Sequence, residues 1–218
     1  MDALTIHSNR TGTEQAAAVA AWLGRDERWY VERNLLALLA EIGHWPAGLD
    51  ASRYLSHSDE RVRREAYRLL FQVPAQRERA VCAALADPDL RNLRQGVAAA
   101  RESMPPAGVA LVAQRLYDEA LPTELRTGLV RALAGVRSPL ALDALLRIAT
   151  GGRTLFGGVK LSAAAPETVA AVRLLARDWG AHPRGAMELR ARRVPLRART
   201  QKYPTVPSAN APSTPSVM

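Results

Sequence analysis

The stretch RWYVERNLLALLAEIG, residues 28–43, has the pattern of one amphipathic helix that ends at a glycine. Its apolar residues recur at spacings of three and four, which places them on one face of an α-helix. Gly43 stands where a helix should end, because glycine readily takes the left-handed conformation found there. Similar stretches recur along the chain, so this helix predicts a repeated unit.

The copies of this helix align on an arginine column. They lie at residues 61–73, 89–103 and 124–136, and the arginines are separated by 30, 28 and 35 residues. A fifth copy at 166–180 keeps the apolar pattern but has Ala170 in the arginine column. The arginine column consists of Arg33, Arg63, Arg91 and Arg126.

Second helices are predicted between these copies. Their positions are near 49–56, 75–86, 106–119, 138–149 and 183–193. The pairs Ser138-Pro139 and Asp87-Pro88 each offer a capping side chain followed by a proline, which is typical of helix starts. A single helix pair cannot bury its apolar face alone, so about five stacked pairs are expected to share one continuous core.

Two motifs carry a family resemblance. They are W-Y-V-x-R-N at 29–34 and D-x-x-V-R-x-x-A at 59–66. With the helix-pair pattern over about residues 26–193, the chain resembles the HEAT-repeat family in its short bacterial form. The resemblance implies an all-α, right-handed α-solenoid whose second helices line a concave face. It also implies that Arg33, Arg63, Arg91 and Arg126 tie adjacent repeats together.

The chain divides into three predicted segments. Residues 1–12 are expected to be a flexible N-terminus, and residues 13–193 form the solenoid. Within it, 13–24 is predicted to be an N-terminal cap helix, and the glycine-rich stretch 151–161 an inserted loop. Residues 194–218 are basic and then rich in proline and serine, which predicts a disordered C-terminal tail.

Composition limits the cellular setting. The single cysteine, Cys82, excludes a disulfide framework within the chain. The N-terminal residues show no apolar signal segment, and no apolar run approaches the ~20 residues that span a bilayer. These features predict a soluble cytoplasmic protein without membrane contact.

The sequence predicts no catalytic residue, cofactor or metal site. The four histidines do not lie at metal-ligand spacing from another histidine, a cysteine or an acid. Cys82 lies in an alanine-rich helix, where a cysteine is usually a small buried hydrophobic residue. The stretch GGRTLFGGVK at 151–160 lacks the glycine-lysine-serine or glycine-lysine-threonine ending of a phosphate-binding loop.

Three functional hypotheses remain. The first is a non-catalytic scaffold that binds a protein partner on the concave face. The side chains predicted to make that contact are Tyr54, Arg79, Arg115, Tyr117, Arg147 and Phe156. The second is nucleic-acid binding, in which second-helix arginines assist the basic tail. The tail residues concerned are Arg190, Arg192, Arg193, Arg197, Arg199 and Lys202. They supply six positive charges in a chain whose formal net charge is +9. The third, a HEAT-like lyase enzyme, has no supporting residue constellation.

Overall fold

The computed structural model describes residues 3–150 and 165–182. All regular structure in these residues is helical, and no strand occurs among them, so the all-α prediction is confirmed there. The α-helices are α1 (Ala3–Ala20), α2 (Trp29–Ile42), α3 (Glu60–Leu70), α4 (Pro74–Ala86), α5 (Leu90–Glu102), α6 (Gly108–Arg115), α7 (Thr123–Ala132), α8 (Pro139–Ala149) and α9 (Pro166–Trp179). A short 3₁₀ helix spans Ser52–Ser56.

The helices pack in two rows. In the first row, α2 contacts α3, α3 contacts α5, α5 contacts α7, and α7 contacts α9. In the second row, the 3₁₀ helix contacts α4, α4 contacts α6, and α6 contacts α8. Pairs such as α4 with α5 and α8 with α9 join the rows. We call the two sets the first row and the second row below.

The first-row helices match the predicted copies closely, whereas two second-row elements are shorter than predicted. The segment predicted as a helix at 49–56 forms only the 3₁₀ turn. Gly48 adopts a positive φ of 83° there, and the Asp50 carboxylate accepts a hydrogen bond from the Ser52 amide at 2.8 Å. Such a local side-chain bond competes with helix formation. Similarly, α6 ends at Arg115, and the amides that follow it, those of Tyr117 and Asp118, bond only three residues back, to Gln114 and Arg115.

Helix α1 begins at Ala3, whereas the predicted cap helix begins at residue 13. Residues 3–12, which were predicted to be flexible, are therefore helical. Within this helix, Gly12 lies against the imidazole ring of His44, where an added Cβ would be 3.1 Å from Nδ1. Helix α1 also packs on α2.

The helix termini show that both predicted side-chain caps, at Asp87 and at Ser138, were wrong. Asp89, not Asp87, caps α5, and its carboxylate accepts the amides of Arg91 and Asn92 at 3.1 and 3.0 Å. Ser138 precedes α8 without a side-chain capping bond. Gly43 ends α2 with the predicted left-handed conformation, at a φ of 67°.

Apolar side chains between the rows form two core clusters. One is built around Tyr67 and the leucines of α2 and α3, and the other around the leucines of α5 to α9. Helix α4 contributes to both, since Ala80 and Ala84 belong to the first cluster and Val81 and Leu85 to the second. The core is thus continuous through α4.

Candidate functional site

Arg63 joins two consecutive helix pairs. Its guanidinium donates to both carboxylate oxygens of Asp87, at 2.8 and 2.9 Å, and to the carbonyls of His57 and Ser58. The Asp87 side chain is fully buried. It also accepts from the Tyr67 hydroxyl at 2.8 Å and from the Asn92 amide at 3.1 Å. The Arg63 side chain therefore links α3 to the segment between α4 and α5.

The other arginines of the column differ from one another. The Nε atom of Arg126 lies 3.7 Å from a carboxylate oxygen of the buried Glu167, which joins α7 to α9. Arg33 is exposed and donates to its neighbour Asn34. Arg91 is exposed and forms no ion pair with any residue that the structure describes. Inter-repeat contacts are therefore present at Arg63 and Arg126 but not at Arg33 and Arg91.

The charge state of Asp87 follows from these contacts. Burial alone would raise the pKa of its carboxyl, because the charged form loses hydration. The hydrogen bonds from Arg63, the Asp89 amide, Tyr67 and Asn92 outweigh this effect and bring the pKa below its ordinary value. Asp87 is therefore a buried carboxylate that keeps its charge.

Tyr54 does not reach the predicted contact surface. It is only 3% exposed, and its hydroxyl accepts a hydrogen bond from Arg53 at 2.7 Å. Burial raises the pKa of this hydroxyl above its ordinary value, although the Arg53 hydrogen bond opposes the change. The ring belongs to the core between the 3₁₀ helix and its neighbours, so we exclude it from the candidate site.

The Arg115 side chain donates its hydrogen bonds to backbone carbonyls of the chain itself. Its guanidinium donates to the carbonyls of Leu85, Ala86 and Asp87 at 3.1, 2.8 and 2.7 Å. These carbonyls end α4, and the last carbonyls of a helix have no partner within the helix. A cation there also interacts favourably with the helix dipole. Arg115 therefore acts as a C-terminal cap for α4.

We expect Arg115→Ala to lower the free energy of unfolding by about 1–3 kcal/mol, because three carbonyls lose a charged donor. Urea denaturation measures this change. Arg94→Ala is the control, since Arg94 is exposed and without an ion pair in the described residues, and its effect should stay within about 0.5 kcal/mol. Equal effects of the two substitutions would contradict the capping role.

Tyr117 and Arg147 form the exposed centre of the second row. Tyr117 is 47% exposed and lies two residues after α6, and the Arg147 guanidinium from α8 lies 4.1 Å from the centre of its ring. This arrangement is a cation–π contact. Leu140, 53% exposed, belongs to the same helix as Arg147 and lies seven residues before it, which places both on one face.

A shallow groove involves the sequence neighbours of Tyr117, since Arg115 and Asp118 line it. It encloses about 360 Å³ between the end of α4 and helix α6, and it is lined by Leu85, Ala86, Leu111, Gln114, Arg115 and Asp118. Arg79, another predicted contact residue, is exposed further along the row and donates to the Ser52 hydroxyl at 3.1 Å. The second row thus presents a tyrosine, a leucine and charges of both signs. We call Tyr117, Leu140 and Arg147, with this groove, the second-row site.

The described residues contain no group of three or more His, Cys, Asp or Glu that would hold a metal ion. Burial raises the pKa of the Cys82 thiol, and Glu78 adds to the shift, so the reactive thiolate is disfavoured. No helix within the described part of the chain has the length and apolar character needed to cross a membrane.

Several predicted residues lie outside the described ranges. Phe156 and the inserted loop at 151–161 do so, as do the second helix predicted at 183–193 and the tail at 194–218. The tail residues proposed for nucleic-acid contact are Arg190, Arg192, Arg193, Arg197, Arg199 and Lys202, and their role stays a prediction. Comparison of the chain with family models, curated proteins and solved structures gave no match in any of the three.

Proposed function

We propose that the chain is a non-catalytic scaffold that binds a protein partner through the second-row site. In this proposal the helices belong to a right-handed α-solenoid of about five HEAT-like pairs, capped by α1, with the second row on its concave face. The partner is held by shape and by contacts of mixed charge.

The observation that carries this proposal is the exposed Tyr117–Arg147 pair. Tyrosine and arginine are enriched among the residues that contribute most to protein–protein binding. A tyrosine ring offers a large contact area with little loss of conformational entropy. Leu140 adds exposed apolar surface on the same helix as Arg147, and protein interfaces commonly have such an apolar centre with a polar rim.

The two-row packing supports the scaffold part of the proposal. Each row extends by contact between successive units, and α4 joins the two core clusters. Stacked helix pairs of this kind create extended binding surfaces. The second-row arginines contact other groups of the chain, as Arg115 does with three carbonyls and Arg147 with the Tyr117 ring. The surface is therefore not a stripe of free positive charge, which nucleic-acid binding would favour.

The test is quantitative capture of partner proteins by the full chain from nuclease-treated lysate. We expect the double substitution Tyr117→Ala with Arg147→Glu to weaken binding of the captured protein by about thirtyfold, the effect of losing a major contact pair. Thermal denaturation of the purified variant should match that of the unaltered chain, because both side chains are exposed.

The matched control is Tyr30→Ala with Arg33→Glu. Tyr30 is 42% exposed and Arg33 is exposed, and both lie on α2 in the first row. This variant removes the same residue types elsewhere and should bind normally. Full binding by the Tyr117 and Arg147 variant, or capture that disappears with nuclease, would refute the proposed function.

A further inference from the structure

The first row carries positive charge that the described residues do not neutralise. Helices α5, α7 and α9 expose arginines that form no ion pair within residues 3–150 and 165–182, whereas Arg77 and Arg177 are paired with Glu102 and Asp178. The unpaired arginines are Arg91, Arg94, Arg101, Arg131 and Arg173.

Two of these arginines line a groove between α7 and α9. The groove encloses about 540 Å³, and Arg131 from α7 and Arg173 from α9 line it together with Arg177. Its apolar lining includes Val169, which is 38% exposed, and Leu174. No acidic side chain of the described residues lines it. We call it the first-row groove.

The charge of the groove comes mainly from Arg131 and Arg173. The Arg177 guanidinium donates to both carboxylate oxygens of Asp178, at 2.7 and 2.8 Å, and that bond raises its pKa. The Asp178 carboxylate also accepts the amide of Gly135 at 3.0 Å, so it is fixed against the end of the α7 segment. Within residues 3–150 and 165–182, Arg131 and Arg173 form no ion pair, so their guanidinium groups are open to a ligand on that side.

We propose that the first-row groove binds an acidic segment of a partner protein, with carboxylates on Arg131 and Arg173 and an apolar side chain against Val169. Arginine binds carboxylates through paired, charge-assisted hydrogen bonds. The volume lies within the range of about 300–1,000 Å³ that is usual for ligand sites. The two arginines therefore favour carboxylates in the peptide, and the apolar lining favours an apolar side chain next to them.

The residues that line the groove favour an acidic peptide over a single-stranded nucleic acid and over the chain's own C-terminal residues. A single-stranded nucleic acid would gain from aromatic side chains that stack on its bases, and none of the described lining residues is aromatic. The chain's own residues 189–218 contain no acid and six basic residues, so they share the sign of the groove. An acidic peptide with one apolar residue complements both the charge and the apolar wall.

This inference rests on the proposed scaffold function and assigns it a second contact surface. The two surfaces lie on different rows and use different residues, so their tests are separable. The substitutions at Tyr117 and Arg147, which test the proposed function, should leave the first-row groove unchanged.

The experiment is selection of a random peptide library, displayed on phage, against the full chain, followed by fluorescence anisotropy of the most enriched peptide. We expect enriched sequences in which aspartate or glutamate flanks an apolar residue. The double substitution Arg131→Glu with Arg173→Glu should weaken binding of that peptide by about tenfold or more. The matched control, Arg91→Glu with Arg101→Glu, changes the net charge equally on the same row and should stay within about twofold.

Further arms distinguish the other occupants. The Tyr117 and Arg147 variant should bind the peptide normally, and replacing the acidic residues of the peptide with glutamine or asparagine should abolish binding. Enrichment without acidic residues would overturn the inference. Equal losses of peptide binding in the Arg131 and Arg173 variant and in the Arg91 and Arg101 variant would also overturn it. So would displacement of the peptide by single-stranded DNA, if both variants weakened DNA binding equally.

Discussion

Asp87→Ala is expected to lower the free energy of unfolding by about 3–5 kcal/mol, the cost of breaking a buried ion pair by removing one partner. The substitution leaves the half-buried guanidinium of Arg63 without its bidentate acceptor. It also removes an acceptor from the buried Tyr67 hydroxyl and from the Asn92 amide. The donors of Arg63, Tyr67 and Asn92 would then lack this acceptor at a site where water does not replace it.

Chemical denaturation followed by circular dichroism measures the effect of Asp87→Ala. The control is Glu119→Ala, because Glu119 is exposed and its loss should change stability by no more than about 0.5 kcal/mol. A cost at Asp87 as small as that at Glu119 would mean that the Arg63 link does not hold the two helix pairs together.

The contribution of Asp87 to the free energy of unfolding should also depend on pH. Its pKa is lower in the folded chain than the value of about 3.9 expected when unfolded. A lowered pKa gives stability that is fully present above the unfolded value and is lost as the pH falls through the folded value. The difference in unfolding free energy between the unaltered chain and Asp87→Ala should be constant near neutral pH and shrink below about pH 4. Urea titrations at several pH values measure it, and a difference that grows on acidification would contradict the assignment.

Gly96→Ala is expected to destabilise the fold by about 1–3 kcal/mol, even though alanine is the better helix former. A Cβ at this position would lie 2.8 Å from the carbonyl carbon of Ala84 and 2.9 Å from the amide nitrogen of Leu85. These are backbone atoms of α4, so α4 and α5 would have to separate. The packing between these helices unites the two core clusters.

Gly128→Ala provides the comparison for Gly96→Ala, because both positions lie inside first-row helices. At Gly128 the nearest atom to an added Cβ is a methyl carbon of Val97, at 2.9 Å. A side-chain end can move more readily than a helix backbone, so the cost should be smaller. Thermal melts of both variants measure the ranking, and a larger loss at Gly128 would refute the close approach of α4 and α5.

The first-row helices could be predicted because their apolar periodicity is local and unbroken. Each first-row helix begins and ends near the predicted residues. The 3₁₀ turn at Ser52–Ser56 was predicted as a full helix, since periodicity does not reveal the Asp50 side chain bonding to the Ser52 amide. The start of α1 was also missed, because the stretch HSNRTG at 7–12 is polar and ends in a glycine, residue types that do not favour a helix.

The site was predicted less well, because its contacts join residues that are distant in the sequence. Arg115 reads as a free surface cation, yet its acceptors are carbonyls about thirty residues earlier. Asp87 reads as a helix cap beside Pro88, yet its main partner is Arg63. Tyr117 and Arg147 were predicted as surface contacts, and they are the ones that lie together and exposed. Among the unpaired first-row arginines, Arg91 was predicted to tie repeats together, whereas Arg131 and Arg173 were not singled out, since pairing of charges depends on tertiary neighbours.

The two rows differ in surface chemistry. The second row offers a tyrosine, a leucine and charges of both signs, while the first row offers arginines beside an apolar wall. In the proposed function, this difference would let the two rows bind different kinds of partner, because electrostatic complementarity contributes to specificity. The stacked packing holds the surfaces in a fixed relation through α4 and the Asp87 network.

The most direct test of the scaffold is photo-cross-linking in cells with a photoreactive phenylalanine analogue in place of Tyr117. The same analogue in place of Tyr30, on the first row, is the matched control. The proposed function predicts a nuclease-resistant cross-linked protein at position 117 that is absent at position 30. Cross-links to nucleic acid alone, or an identical protein product at both positions, would contradict a protein-binding site on the second row.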